Sequence, residues 1–197
     1  MKEFRKISVI GLGLIASSIC LTLRQKDPTI KLLGYDKDKV VRNRAKKIGL
    51  CKVESNLDNA VSGSQLIVLC VPVGQMQAVT RRLKKIIEPG TTITDVGSVK
   101  LSVIEEIESN IESVGGKYVP SHPIAGTERS GPDAGYAGLF EGRWCILTPT
   151  RKTNKRALNR LETFWKFLGM QTKIMTPEHH DLVPVSYTHL TLPTTRC

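Results

Sequence analysis

Residues 6–16 read Lys6-Ile-Ser-Val-Ile-Gly11-Leu-Gly13-Leu-Ile-Ala16, five residues of strand composition that run into a glycine turn and then into a mostly apolar helix continued by Ile19, Leu21 and Leu23. Each small residue has its own task. Gly11 permits a tight turn, Gly13 lets the backbone approach a pyrophosphate, and Ala16, in the place of a third glycine, keeps the helix close to the strand. The helix that opens at Leu14 and Ile15 offers unpaired N–H groups to an anion. A glycine motif alone is a weak signal, so its surroundings decide. Here it follows a strand and opens a helix, and a second short strand, residues 30–34, ends at Tyr35-Asp36, 23 residues beyond Gly13. That set is the dinucleotide-binding fingerprint. A carboxylate at 36 accepts hydrogen bonds from ribose hydroxyls and repels a 2′-phosphate, which favours NAD over NADP, while Lys37 and Lys39 pull the other way. Asp36 also suits the N-cap of the next helix, and the two roles can coexist.

Working outward, residues 66–71 form a continuous apolar run that stops at Pro72. Such a run suits a parallel strand buried on both faces. Helices are expected over residues 74–87 and 101–111, and strands over 91–95, 117–120, 144–147 and 171–175. Leu158, Leu161, Trp165 and Leu168 recur at helical spacing and read as a core-facing stripe, closed by Gly169. Thr176-Pro177-Glu178 starts one more helix. Strand and helix alternate throughout, so the fold class is α/β, a Rossmann-type, doubly wound, mostly parallel sheet. Val71 and Pro72 fall at its carboxyl edge and are expected cofactor contacts.

Composition narrows the class further. The chain has 197 residues, 40% hydrophobic and 24% charged, as in a globular protein. No apolar stretch approaches the roughly 20 residues needed to span a bilayer, and the N-terminus lacks a signal-peptide core. Five cysteines, Cys20, Cys51, Cys70, Cys145 and Cys197, are odd in number and show no C-x-x-C spacing. Reduced thiols and a cytoplasmic location are expected. The net charge of +11 invites a nucleic-acid partner. The basic residues, however, are spread over separate helix faces, with no aromatic-rich RNA-binding or zinc-finger signature, so solvated faces are the simpler reading.

The chemistry-bearing segment is Ser121-His-Pro-Ile-Ala-Gly126. Pro123 removes a donor and biases His122 to extended geometry, which holds the imidazole on a stiff turn after a strand. An imidazole so fixed can take a proton near neutral pH. Asp95-Val-Gly-Ser98-Val-Lys100 is expected at the same sheet edge. Ser98 is either the N-cap of the next helix or a hydrogen-bonding partner of substrate or nicotinamide. Lys100 reads as a solvated first-turn residue. His179 and His180 are adjacent, so they point to different sides of a helix, and no metal site is expected.

Taken in order, Gly11-Leu-Gly-Leu-Ile-Ala16, Asp95-Val-Gly-Ser-Val-Lys100, Ser121-His-Pro-Ile-Ala-Gly126, Thr127-Glu-Arg-Ser-Gly131 and Gly142-Arg-Trp-Cys-Ile-Leu-Thr-Pro149 resemble the prephenate/arogenate dehydrogenase family of tyrosine biosynthesis. The resemblance runs from about Lys6 to about Val183. It implies an NAD-dependent oxidative decarboxylation in which His122 matches the family's catalytic histidine and Ser98 a serine beside the same hydroxyl and the nicotinamide. Prephenate and arogenate both remain open as the small-molecule substrate. Glu128, Arg129, Ser130 and Gly131 either line the pocket mouth or form a solvated loop.

In that family a helical domain follows, dimerises and supplies an arginine and a further histidine to the substrate carboxylates. It is expected to be missing here. The domain reading is therefore residues 1–176 as the nucleotide-binding unit, 177–183 as the start of the helical part, and 184–197 as a tail whose composition breaks abruptly: either non-native, since Val185-Ser-Tyr-Thr-His-Leu190 resembles a translated sequencing adapter, or an authentic disordered tail. The full-length form is expected to be a homodimer. Two other readings stay open: another two-domain nicotinamide oxidoreductase of a hydroxy acid or imine, and a regulatory nucleotide-sensing domain. The first lacks a reason for residues 122–131, and the second needs no acid/base group.

Overall fold

The computed structural model describes residues 3–182; the linker residue 183 and the proposed tail over 184–197 lie outside them. Chain order is β1 (Lys6–Ile10), α1 (Leu14–Lys26), β2 (Lys31–Tyr35), α2 (Lys39–Lys47), β3 (Lys52–Val53), α3 (Leu57–Val61), β4 (Leu66–Leu69), α4 (Val73–Leu83), β5 (Thr92–Asp95), α5 (Leu101–Glu112), β6 (Lys117–Tyr118), β7 (Ser121–Pro123), β8 (Trp144–Leu147), α6 (Lys155–Leu168), β9 (Gln171–Ile174) and α7 (Pro177–Leu182). Six strands form a sheet in the order β3-β2-β1-β4-β5-β6, every pairing parallel. Strand order reverses between β1 and β4, which opens a crevice at their carboxyl ends.

The apolar run of β4 is explained by its two faces. Leu66 and Val68 belong to a core that includes Trp165, Phe164 and Leu161 of α6. Ile67 and Leu69 belong to a second core with Met76 of α4 and Ile104 and Ile107 of α5. Burial on both sides removes the need for polar alternation. Helix ends follow the expected chemistry: Asn154 caps α6 by accepting from the Ala157 N–H, and Gly169 closes it in the left-handed conformation. The Thr176 hydroxyl accepts from the His179 N–H at 3.2 Å, which caps α7. Among the described residues, no helix is long and apolar enough to cross a membrane.

Three features differ from the sequence expectation. The last strands leave the main sheet: β7, β8 and β9 form a separate three-stranded sheet, with β7 antiparallel to β8 and β8 parallel to β9. Pro123, which cannot donate, is tolerated because β7 is an edge strand. His122 therefore sits within a short strand, opposite Ile146, rather than on a turn. The elements β3 and α3, two and five residues long, are too short to show a period.

Lys100 is the third correction. It is fully buried, not solvated. Its ammonium pairs with the carboxylate of Asp95, also fully buried, and donates to the Ser121 carbonyl at 2.8 Å. Asp95 further accepts from the Tyr118 hydroxyl at 2.7 Å and the Gly97 N–H at 2.8 Å. The Ser121 hydroxyl donates to the Asp95 carbonyl at 2.7 Å. This cluster joins β5, β6 and α5 to β7, and so fastens the second sheet to the first. Removing one partner strands a buried charge. Lys100→Met is expected to lower unfolding free energy by about 3–5 kcal/mol, with Lys100→Met/Asp95→Asn regaining most of the loss; urea denaturation of the two variants checks this.

Candidate active site

The site lies at the carboxyl ends of β1, β4 and β5 and beside β7, where two cavities share the wall made by Cys70, Val71 and Pro72. The first, about 350 Å³, is also lined by Gly11, Gly13, Tyr35, Asp36 and Lys37. The second, about 470 Å³, is also lined by Ile15, Gly97, Ser98, His122 and Ala125.

Gly11 has φ +92°, and a Cβ there would come within 2.8 Å of the Cys70 carbonyl carbon. Glycine is required both for the turn and for the close approach of the segment after β4. Gly13 is different, since a Cβ there would meet nothing within 4 Å. Open space thus stands over the start of α1, whose N-cap makes no side-chain bond and whose first turn holds no acidic residue. Those uncapped N–H groups and the positive end of the helix fit an anionic group such as a pyrophosphate. Asp36 accepts from the Leu12 N–H at 2.8 Å and from the Asp38 N–H at 2.9 Å. It clamps the glycine loop to the end of β2, and each oxygen keeps further acceptor capacity toward a ribose. The cap of α2 is Asp38, which accepts from the Val40 N–H at 2.7 Å, so the capping role considered for Asp36 falls to its neighbour.

Of the other expected cofactor residues, Ala16 is fully buried where α1 packs on the sheet, and Leu14 packs partly against the same core. Neither lines either of these two cavities. Glu128 and Ser130 are exposed, and with Gly131 they line neither cavity.

Ser98 is exposed and lines the second cavity. It does not cap α5. Lys100 occupies the cap position without a side-chain cap bond, and the carboxylate of Asp181 accepts from the N–H groups of Lys100 and Leu101, each at 2.9 Å. A residue about 80 positions away thus caps this helix.

The His122 Nδ1 lies 2.9 Å from the His180 Nε2, and the His180 Nδ1 lies 2.7 Å from Asp181 Oδ1. Burial, then the Lys100 ammonium and His180, hold the His122 pKa down to about 4. The imidazole is therefore neutral at neutral pH, with one lone pair free. Cys70 on the shared wall stays a thiol, because burial and the Asp95 carboxylate raise its pKa. Sequence reasoning missed His180 and Asp181. It placed them correctly on a helix and separated His180, which is buried, from exposed His179, but a contact across 58 residues leaves no local pattern.

Residues 19–174 match the family model described as prephenate dehydrogenase, nucleotide-binding domain. The chain is 39% identical to cyclohexadienyl dehydrogenase of Zymomonas mobilis over 96% of its own length and 64% of that protein's. It is 33% identical to prephenate dehydrogenase of Bacillus subtilis over 93% of its length and 50% of that protein's. Among solved structures, prephenate dehydrogenase from A. aeolicus in complex with hydroxyphenyl propionate and NAD+ aligns with a TM-score of 0.84 at 30% identity, covering 91% of this chain and 62% of that one. Synechocystis arogenate dehydrogenase aligns with a TM-score of 0.81 at 29% identity, covering 89% and 61%. The chain thus spans between half and two thirds of the length of these relatives. By the match of its sequence over residues 19–174 and of its fold, the chain belongs to the prephenate dehydrogenase nucleotide-binding domain family.

Proposed function

We propose that this chain binds NAD and forms the cofactor half of an enzyme that oxidises prephenate to 4-hydroxyphenylpyruvate with loss of carbon dioxide. The observation that carries the reading is a neutral imidazole, His122, in a cavity that shares a wall with the glycine-loop cavity. NAD supplies the hydride acceptor when bound. Gly11, Gly13 and the first N–H groups of α1 would hold its pyrophosphate, Asp36 would take the ribose hydroxyls, and Val71 and Pro72, on the wall shared by the two cavities, would contact it there. No residue of this chain is assigned to the substrate's own carboxylates.

His122 accepts the proton of the substrate hydroxyl as the carbon bearing it becomes carbonyl-like, and Ser98 donates to or accepts from the same oxygen. Loss of carbon dioxide then aromatises the ring, the resulting phenolate oxygen takes a proton back to give the phenol, and aromatisation drives the reaction forward. Arogenate is the second reading, favoured by the likeness to the Synechocystis enzyme; the two substrates share the ring chemistry His122 serves. A nucleotide sensor would need no base beside the cofactor cavity.

Three outcomes test this. With NAD and prephenate or arogenate, in the chain joined to its downstream sequence, His122→Asn should lower kcat by about 10²–10⁴-fold, with NAD affinity unchanged by calorimetry. Binding of NAD without turnover of either acid would reject the substrate assignment. Because His122 works as a base, activity is lost as pH falls through its pKa; the acid limb of kcat/KM should lie below the usual imidazole range, toward pH 4. Asp36→Ala should cut the preference for NAD over NADP by roughly tenfold, read as the ratio of kcat/KM for the two cofactors.

A further inference from the structure

We propose that His180 and Asp181 of α7 are a positioning pair that fixes the tautomer of His122, so that its Nε2 is the proton acceptor toward the cavity. The inference rests on the base role given to His122 above, and extends it to residues that no sequence motif singled out.

The argument starts at Asp181. Partial burial opposes its ionisation, but the N–H groups of Leu101 and Lys100 and the ring of His180 outweigh it and hold its pKa below the ordinary value. An ionised carboxylate only accepts. Its two oxygens already face the Lys100 and Leu101 N–H groups, and the His180 Nδ1 at 2.7 Å must therefore carry a hydrogen. With His180 neutral, its Nε2 is then a bare acceptor. The His122 Nδ1, 2.9 Å away, must donate to it, which leaves Nε2 of His122 unprotonated. Left to itself, a neutral imidazole favours the opposite tautomer, with its hydrogen on Nε2 and no lone pair to offer there.

The pair also suits the charged state. When His122 takes a proton on Nε2, its Nδ1–H bond to His180 becomes charge-assisted, and the Asp181 carboxylate stabilises the cation through His180. His180 is itself buried, so water does not compete for its ring. The other titratable groups around His122 include Lys100 and Asp95 from the β5–α5 segment, Cys145 of β8, kept as a thiol by burial, and Cys70 on the cavity wall, also kept as a thiol. Lys100 disfavours a cation on His122, the carboxylates of Asp95 and then Asp181 favour it, and Asp181 is linked to the ring by hydrogen bonds through His180.

The test is long-range ¹H–¹⁵N NMR of the histidine rings in this chain, with kinetics in the catalytically active form. Native His122 should show the Nδ1–H tautomer. His180→Phe removes the acceptor, and the Nε2–H form should become dominant. In Asp181→Asn the amide oxygen turns to the two backbone N–H groups and its NH₂ to His180, which reverses both bonds and again puts hydrogen on His122 Nε2. His180→Gln keeps an acceptor and should keep the native tautomer. Turnover should fall on the order of 10²–10⁴-fold in His180→Phe and Asp181→Asn, with partial return in His180→Gln and NAD affinity unchanged. A His122 tautomer that does not move in folded, NAD-binding His180→Phe and Asp181→Asn overturns the pair. If it moves while His122→Asn retains full turnover, the positioning chemistry stands and the base role of His122 fails.

Discussion

The buried pair of Lys100 and Asp95 is the constraint on which the rest of the site depends. Two charges out of water are tolerated only when each finds other partners. Asp95 has the Tyr118 hydroxyl and the Gly97 N–H, and Lys100 has the Ser121 carbonyl. Two of these partners, Gly97 and Ser121, adjoin a residue of the cavity. Gly97 precedes Ser98, and Ser121 precedes His122. The pair therefore sets where both side chains stand, and its ammonium also disfavours a proton on His122. A single ion pair links the joint between two sheets to the basicity of the proposed base.

Around that joint, helix termini act in opposite ways. The start of α1 is left without a side-chain cap, with open space above Gly13 for an anion. The start of α5 is filled by the protein's own anion, Asp181. An uncapped helix start beside a cavity is available to a ligand, whereas a capped one has become structure. The preceding residue of α7, His180, lies against His122, so the segment that caps α5 also carries the ring that meets the imidazole.

Asp36 shows a similar economy. Its carboxylate holds the glycine loop through the Leu12 N–H and the turn into α2 through the Asp38 N–H. The loop that would receive the pyrophosphate and the group that would receive the ribose are thereby one rigid unit. Preorganisation of this sort lowers the ordering cost of binding.

The strand, glycine turn and helix of residues 6–26 were legible in the sequence because the turn needs glycine for steric reasons and the strand's burial writes itself as an apolar run. So were the doubly wound class, the caps at Thr176 and Gly169, and His122 and Ser98 as cavity residues. All of these depend on neighbours within a few positions, or on a period of burial. Tertiary structure alone decided the fate of Lys100, the departure of β7–β9 into their own sheet, the cap on α5, and the contact of His122 with His180. In each of these the deciding partner lies far away in sequence or across a sheet, as Ser121 does for Lys100 and Asp181 for α5. A charged residue's burial is set by whether such partners arrive, and composition holds no record of that.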